Sequence, residues 1–194
     1  MDDPAPVGVT AMQIRNAAIE DLPAIVDIYN QSIPAGRSTA DTAPVSVTDR
    51  LEWFQKFDPK KRPLWVAEID GAIVAWIGLS SFYAGRPAYD ATAEVSTYIA
   101  SAHQRMGIGT LLKQRMIEKC LGLGVTTLIS MHFDHNDATR RMNDKLGFVP
   151  MGHLPEIAVV QGVKRGLVIS ALRIHPPQPG PSSRPATASA ITLS

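Results

Sequence analysis

The stretch that most limits what this chain can fold into is Ala93–Leu112, AEVSTYIASAHQRMGIGTLL. Its first residues alternate. Val95, Thr97 and Ile99 fall on one face of an extended strand, and Glu94, Ser96 and Tyr98 on the other. From Ile108 the spacing changes: Ile108, Leu111, Leu112, Met116 and Cys120 recur every three or four residues, as on an amphipathic helix. Between strand and helix lies Gln104-Arg105-Met106-Gly107-Ile108-Gly109-Thr110. The first N–H groups of a helix have no partner within it, and the macrodipole makes that end positive. Gly107 and Gly109 would let a phosphate approach the backbone, while Arg105 and the Thr110 hydroxyl could add charge and a hydrogen bond. Taken alone, a Gly-x-Gly at a helix start fits a tight turn as well as an anion site.

The flanking chain supplies the rest of a mixed domain. Gln13–Ala17 reads as a strand and Glu20 to about Ser32 as a helix burying Leu22, Ile25, Ile28 and Tyr29. Pro34, Gly36 and Pro44 make Ile33–Val47 a loop. Ser46 or Thr48 can cap a following helix that carries Leu51, Trp53, Phe54 and Phe57, ended by Pro59 and Pro63. Leu64–Ile69 and Ala72–Phe82 form a hairpin about Asp70-Gly71, followed by a loop, Tyr83–Thr92. After the central unit come a strand, Leu128–Phe133, and a helix, Asp137–Leu146, with Gly147 as its C′ residue. Phe148–Val160 and Leu167–Ile174 are the expected last strands, linked around Gly162–Gly166. Residues 1–12 and 176–194 are rich in Pro, Ala, Gly or Ser and are expected to be disordered, leaving one domain over 13–175.

Gln/Arg-x-x-Gly-x-Gly between a strand and a helix resembles the acetyl-CoA pyrophosphate loop of the GCN5-related N-acetyltransferase (GNAT) superfamily. Asn136-Asp137-Ala138-Thr139 and Lys145-Leu146-Gly147-Phe148 resemble that superfamily's asparagine helix and its Leu-Gly-Phe ending. The likeness runs from about Gln13 to Ile174. It implies an α+β fold with a mostly antiparallel, twisted sheet, helices on both faces, and two central strands splayed to admit pantetheine. Asn30-Gln31-Ser32-Ile33, Thr39, Trp53, Arg86-Pro87-Ala88-Tyr89-Asp90, Gly152-His153-Leu154-Pro155 and Gly162-Val163-Lys164 narrow the resemblance. They look like the phosphinothricin and methionine sulfoximine acetyltransferases, which acetylate the α-amine of a glutamate-like or methionine-like amino acid and are homodimers.

The resemblance implies roles for particular residues. Glu94 matches the family's glutamate and is the candidate base, though it could also be a strand carboxylate paired with Arg86 or another cation. A backbone N–H near Tyr98 or Ile99 would meet the oxyanion. Thr97, Tyr98 and Ile99 would pair with pantetheine. Arg105, Met106, Gly107, Ile108, Gly109 and Thr110 would hold the pyrophosphate, and Asn136 and Lys145 the pantetheine amide and the phosphate end. Asn136 is equally a helix N-cap, and Lys145 equally a solvated helix-end lysine. For the substrate, Arg86 could grip a carboxylate bidentately, with Ile33, Tyr83 and Tyr89 about its side chain. Where the superfamily often has a tyrosine and this subgroup sometimes a histidine, the chain has Asn143. An amide cannot donate a proton as a general acid but can hydrogen-bond a thioester sulfur, so the source of the proton for the leaving thiolate is open.

Other classes are disfavoured. A formal net charge of +1 gives no reason to expect nucleic acid or an acidic membrane. No apolar run reaches the roughly 20 residues of a membrane span, and Met1–Met12 has no signal-peptide pattern. The single Cys120 fits a reducing cytoplasm and helix packing. His132, Asp134 and His135 do not share one strand face, so no metal is expected. The alternatives kept are acetylation of another amine (a polyamine, an aminoglycoside or a protein N-terminus) and a non-catalytic acetyl-CoA-binding module. The loops offer a polyamine little acidity beyond Asp41 and Asp90.

Overall fold

The computed structural model describes residues 12–175. The expectations of disorder at the two ends fall outside the described residues, except at Met12, which lies against the core. In chain order the elements are β1 (Gln13–Asn16), α1 (Leu22–Asn30), α2 (Leu51–Phe54), β2 (Leu64–Ile69), β3 (Ala72–Ser81), β4 (Thr92–Ile99), α3 (Ile108–Cys120), β5 (Thr127–Phe133), α4 (Asp137–Lys145), β6 (Val149–Val160) and β7 (Val163–Arg173). One seven-stranded sheet has the order β1-β2-β3-β4-β5-β7-β6. Every neighbouring pair is antiparallel except β4 and β5. The mixed, mostly antiparallel sheet expected from the sequence is therefore present.

Both sheet faces are covered, as the near-continuous apolar run of β3 requires. Ala75, Ile77 and Leu79 join Val95 of β4 and Ile108, Leu112, Met116 and Cys120 of α3 in the larger core. Trp76 turns to the other face, against Ile25 and Ile28 of α1 and the rings of Trp53 and Phe57. Its indole N–H is satisfied by the Ile25 carbonyl at 3.1 Å. Cys120 is fully buried, and burial pushes its thiol up to about 12, so it serves packing.

Local signals work where the chemistry is local. Asp70 and Gly71 both have positive φ, +53° and +78°, the pairing a two-residue hairpin turn needs. Gly147 sits at C′ of α4 with φ +81°. Three expectations need correction. The last hairpin turns at Gln161-Gly162, both at positive φ, and β7 starts at Val163, so Gly166 lies within a strand and not in a link. The helix after Ser46 is a single α turn preceded by a 3-10 turn, Thr48–Arg50, and Phe57 lies beyond it. A reciprocal bond starts it: Ser46 Oγ accepts from the Asp49 N–H at 3.1 Å, and the Asp49 carboxylate accepts from the Ser46 N–H at 3.0 Å. Finally, Leu111 is exposed. At about 100° per residue, positions 108, 109, 112, 113, 116 and 120 share one side of α3 and 111 does not, so Lys113 occupies the buried stripe.

Candidate active site

β4 has two different edges. Towards β3 it is paired from Ala93 to Ile99. Towards β5 it is paired only at Thr92, Ala93 and Glu94, against Thr127, Leu128 and Ile129. Past Glu94 the two parallel strands part, leaving main-chain polar groups that call for another partner. The gap is a cleft of about 260 Å³, walled by β4, β5, α4 and residues 37–40. Thr97 and Tyr98 line it. The Thr97 Oγ1 is buried there with no hydrogen-bond partner.

The glycine turn stands beside the cleft. Arg105 and Gly107 have φ of +64° and +82°, and Gly107 is the N-cap of α3. No side chain caps this helix and no acidic residue lies in its first turn. Its first backbone bond runs from the Leu111 N–H to the Gly107 carbonyl, 3.0 Å, so the N–H groups of Ile108, Gly109 and Thr110 are left for an outside acceptor. A Cβ on Gly109 would come 3.0 Å from Cδ1 of Ile99 and 3.6 Å from Sδ of Met142. Met142 lines the cleft, so glycine lets the turn close onto its rim. Ile99 acts here by packing and is not among the cleft-lining residues. Arg105, Met106 and Lys145 are exposed.

Loop 31–47 closes one side of the cleft through its main chain. Tyr98 Oη donates to the Ser38 carbonyl at 3.0 Å, and Asn136 Nδ2 to the Arg37 carbonyl at 3.0 Å. Nε2 of His135 lies 3.0 Å from the Gly36 carbonyl, and Gln161 Nε2 donates to the Pro34 carbonyl at 2.8 Å. Asn136 Oδ1 also accepts from the Thr139 N–H at 3.1 Å, capping α4. The expected N-cap role is thus filled by a buried side chain that also lines the cleft.

On the opposite face of β4 is a second cavity of about 210 Å³, walled by Tyr29, Trp53, Trp76 and Tyr98, with Ile25, Val26 and Arg50. Trp76 and Tyr98 stack with centroids 4.5 Å apart. The Arg50 guanidinium lies 4.5 Å over the Tyr29 ring and donates to Asp41 at 2.8 Å. Tyr29 Oη donates to the same carboxylate at 2.6 Å. Glu94, Ser96 and Tyr98 line both cavities. Glu94 is the last residue of β4 paired with β5, half-buried, and burial alone raises its pKa. Among the described residues it has no ion-pair partner, so the pairing with Arg86 weighed from the sequence is not made.

Asn143 lies fully buried behind the cleft wall. Its Nδ2 donates to Ser130 Oγ at 3.2 Å and its Oδ1 accepts from Lys113 Nζ at 2.8 Å. Lys113 also donates to Ser130 Oγ at 3.1 Å and lies 4.9 Å over the Phe148 ring. Lys113 and Ser130 line the cleft. Burial brings the Lys113 ammonium down from 10.5 to about 7.

The four residues expected at the substrate sit apart from both cavities. Ile33 is buried and lines neither. Tyr83, Arg86 and Tyr89 cluster on the exposed connection from β3 to β4, with Arg86 5.2 Å over the Tyr83 ring and the two tyrosine rings 5.7 Å apart. That connection leaves β3 just after Ser80, which lines the aromatic chamber, and enters β4 two residues before Glu94. Sequence reading missed Lys113, Ser130, Arg50 and the aromatic walls. For Lys113 a signal existed: a cation on the apolar stripe of a helix. Arg50 had none, because its place depends on how a loop folds.

A forked parallel pair beside an uncapped, glycine-led helix is the geometry the sequence resemblance called for, and it invites comparison with known proteins. The sequence profile of the Acetyltransferase (GNAT) family matches residues 22–148, well over half of the chain. The chain belongs to the GNAT family. It is an N-acetyltransferase by that membership and by its relatives. YwnH of Bacillus subtilis, provisionally named a phosphinothricin acetyltransferase, is 42% identical over 159 residues, covering 81% of this chain and 96% of that protein. An L-methionine sulfoximine/L-methionine sulfone acetyltransferase of Pseudomonas aeruginosa is 28% identical over 172 residues, 87% of this chain and 98% of that one. Among solved structures, an acetyltransferase of Salmonella typhimurium with its cofactor acetyl-CoA superposes with a TM-score of 0.79 at 25% identity, over 87% of this chain and 97% of that chain. The GNAT fold expected from the two motifs is thus found in the topology and in these relatives. No helix among the described residues is long and apolar enough to cross a membrane.

Proposed function

We propose that this GNAT protein transfers acetyl directly from acetyl-CoA to the α-amine of a small amino acid or analogue of the phosphinothricin, methionine sulfoximine or methionine sulfone type. The observation that carries the reading is the place of Glu94. It is the one carboxylate shared by the cleft and the aromatic chamber, and it lies where β4 and β5 part. Acetyl-CoA suits the cleft: phosphates against Arg105–Thr110, pantetheine along Thr97–Ile99, its amide near Asn136, and the phosphate end towards Lys145. Desolvated and unpaired, Glu94 is a better base for an ammonium than a carboxylate in water, directly or through one water. The amine, once neutral, attacks the thioester carbonyl, with an N–H near Tyr98 or Ile99 facing the oxyanion.

The chamber supports a small substrate. Its volume of about 210 Å³ is below the ~300–1,000 Å³ of drug-sized sites, which suits a ligand the size of an amino acid. Arg50, the cation lining it, is our candidate for the substrate carboxylate. Tyr83, Arg86 and Tyr89 form an outer group at the same end of β4, with Ile33 as packing behind the loop. The exposed apolar side chains of β6 (Val149, Met151, Leu154, Ile157 and Val159) and of Val163 at the start of β7 support a homodimer through this edge of the sheet. A cytoplasmic location fits the acetyl-CoA supply and the unpaired Cys120. Acetylation of a toxic analogue would confer resistance to it.

CoA release should be measured with acetyl-CoA and phosphinothricin, methionine sulfoximine, methionine sulfone, common L-amino acids, spermidine and an aminoglycoside. Turnover confined to the amino-acid class supports the proposal. Turnover only on spermidine or the aminoglycoside overturns the substrate, and tight acetyl-CoA binding with no turnover on any amine overturns the enzyme reading in favour of a binding module.

A further inference from the structure

The site as described so far has a base but no acid: Asn143 stands where a proton donor would be sought, and both ends of its amide are engaged. What engages its oxygen is a lysine. Lys113 reaches from the buried stripe of α3 between the sheet and α4, and its nitrogen is held by two neutral oxygens, Asn143 Oδ1 at 2.8 Å and Ser130 Oγ at 3.1 Å. Ser130 is the first residue of β5 beyond the last rung shared with β4. The nitrogen is thus fixed at the fork of the two strands. An ammonium has three N–H groups; two are taken, and Lys113 lines the cleft, so the third is left for a ligand. No carboxylate pairs with Lys113 among the described residues, which is rare for a side chain only 2% exposed. The other charged or titratable groups on the cleft wall are Glu94, Arg37, Tyr98 and His132; the Tyr98 hydroxyl donates to the Ser38 carbonyl, and His132 Nδ1 lies 2.9 Å from the Phe133 carbonyl.

We propose that Lys113 protonates the sulfur of the departing coenzyme, and that Asn143 and Ser130 are positioning residues that hold its ammonium at the fork. The proposal rests on the reading that the cleft takes acetyl-CoA. In the step, the new N–C bond is already formed. The C–S bond breaks with its electron pair going to sulfur, a proton passes from Lys113 Nζ to that sulfur, and CoA leaves as the thiol with Lys113 neutral. The proton removed from the substrate ammonium through Glu94 and solvent restores the charge, so no further reactant is needed. The amide at position 143 then has a positive role, since an oxygen acceptor orients an ammonium where a second acid would compete with it.

The test uses CoA itself, without any amine. The ultraviolet absorbance of the thiolate is followed against pH for CoA free and bound to the wild-type protein, and then bound to Lys113→Met. An ammonium at the sulfur shifts the bound thiol's titration to lower pH in the wild type, and the shift disappears in Lys113→Met. In turnover with an accepted amine, kcat of Lys113→Met falls about a hundredfold, the low end for loss of a general acid, while KM for acetyl-CoA stays within about twofold. Asn143→Ala, which leaves the lysine in place but unheld, gives a smaller bound-thiol shift and an intermediate kcat. The wild-type titration needs no variant to fold, and a bound thiol that titrates like the free one overturns the proposal by itself. A shift retained in Lys113→Met also overturns it and moves the role to another group on the cleft wall. Failure of CoA to bind the wild type overturns both this proposal and the reading beneath it. Failure of every amine in the turnover panel leaves the thiol titration as the deciding result.

Discussion

Two sets of charges in this molecule have opposite surroundings. At the β1 edge, Arg15 donates to Asp21 at 2.6 Å and meets Glu68 at 3.1 Å, and the Asp21 carboxylate also accepts from the Ala18 N–H at 2.7 Å. Every charge there has its complement, and Asp21 is held below the ordinary carboxylate range, chiefly by the Arg15 hydrogen bond, against the opposing pull of burial. Glu94 and Lys113 flank the fork of β4 and β5 and have no such complement. Glu94 is pushed up and Lys113 down by desolvation, each towards its neutral form. Paired charges are locked into one protonation state and serve the fold. Unpaired buried ones are brought towards the pH at which protons are exchanged, at a cost in stability, and serve a reaction.

This contrast can be broken by substitution. The largest effect is expected from Glu94→Gln, which keeps the shape and removes the proposed base: kcat falls about 10²–10⁴-fold while acetyl-CoA affinity by calorimetry is unchanged. In the wild type, kcat/KM falls as pH drops through the raised Glu94 value, because protonation disables the base, and the variant lacks that limb. Next is Lys113→Met. The folded protein binds fewer protons than the unfolded chain between about 7 and 10.5, so wild-type stability climbs with pH across that window. The variant is therefore more stable below pH 7, by on the order of 1–4 kcal/mol, with the gain shrinking towards pH 10 in urea titrations. Asp21→Asn goes the other way, losing about 1–3 kcal/mol at pH 7. Because Asp21 is lowered in the fold, the wild-type advantage is present above about pH 4 and fades as pH falls below it. Smallest is Glu68→Gln, where Arg15 is partly exposed: a loss of about 0–1 kcal/mol, reduced further by salt.

The same distinction separates what could be read in the sequence from what could not. β4, the Gly107 turn, the Asp70-Gly71 hairpin and the Asn136 cap rest on spacing and turn chemistry within a few residues, and all are found. Glu94 was legible because its strand and the family motif fixed its position. Lys113 was masked by its own helix: with Leu111 counted on the buried face, the stripe looked complete without it. Arg50, the aromatic chamber and the exposed position of Arg86 depend on how the connections 31–50 and 82–91 cross the sheet. Those paths are set by tertiary contacts such as Tyr98 to Ser38, which no periodicity records.

The loop over the cleft is gripped by its carbonyls, at Pro34, Gly36, Arg37 and Ser38, from four side chains on three separate parts of the fold. A main-chain oxygen is the same whatever residue bears it. Gly36, whose φ of +58° and 3.0 Å clearance to Val160 argue for glycine, and Thr39 and Asp41, whose side chains bond to Tyr29 and Arg50, matter by identity; Arg37, Ser38 and Ala40 can be exchanged without loosening the main-chain bonds. This wall of the cleft is thus a partly replaceable lining on a fixed hanger, and positions 37, 38 and 40 can be varied while β4 and α3 are left alone.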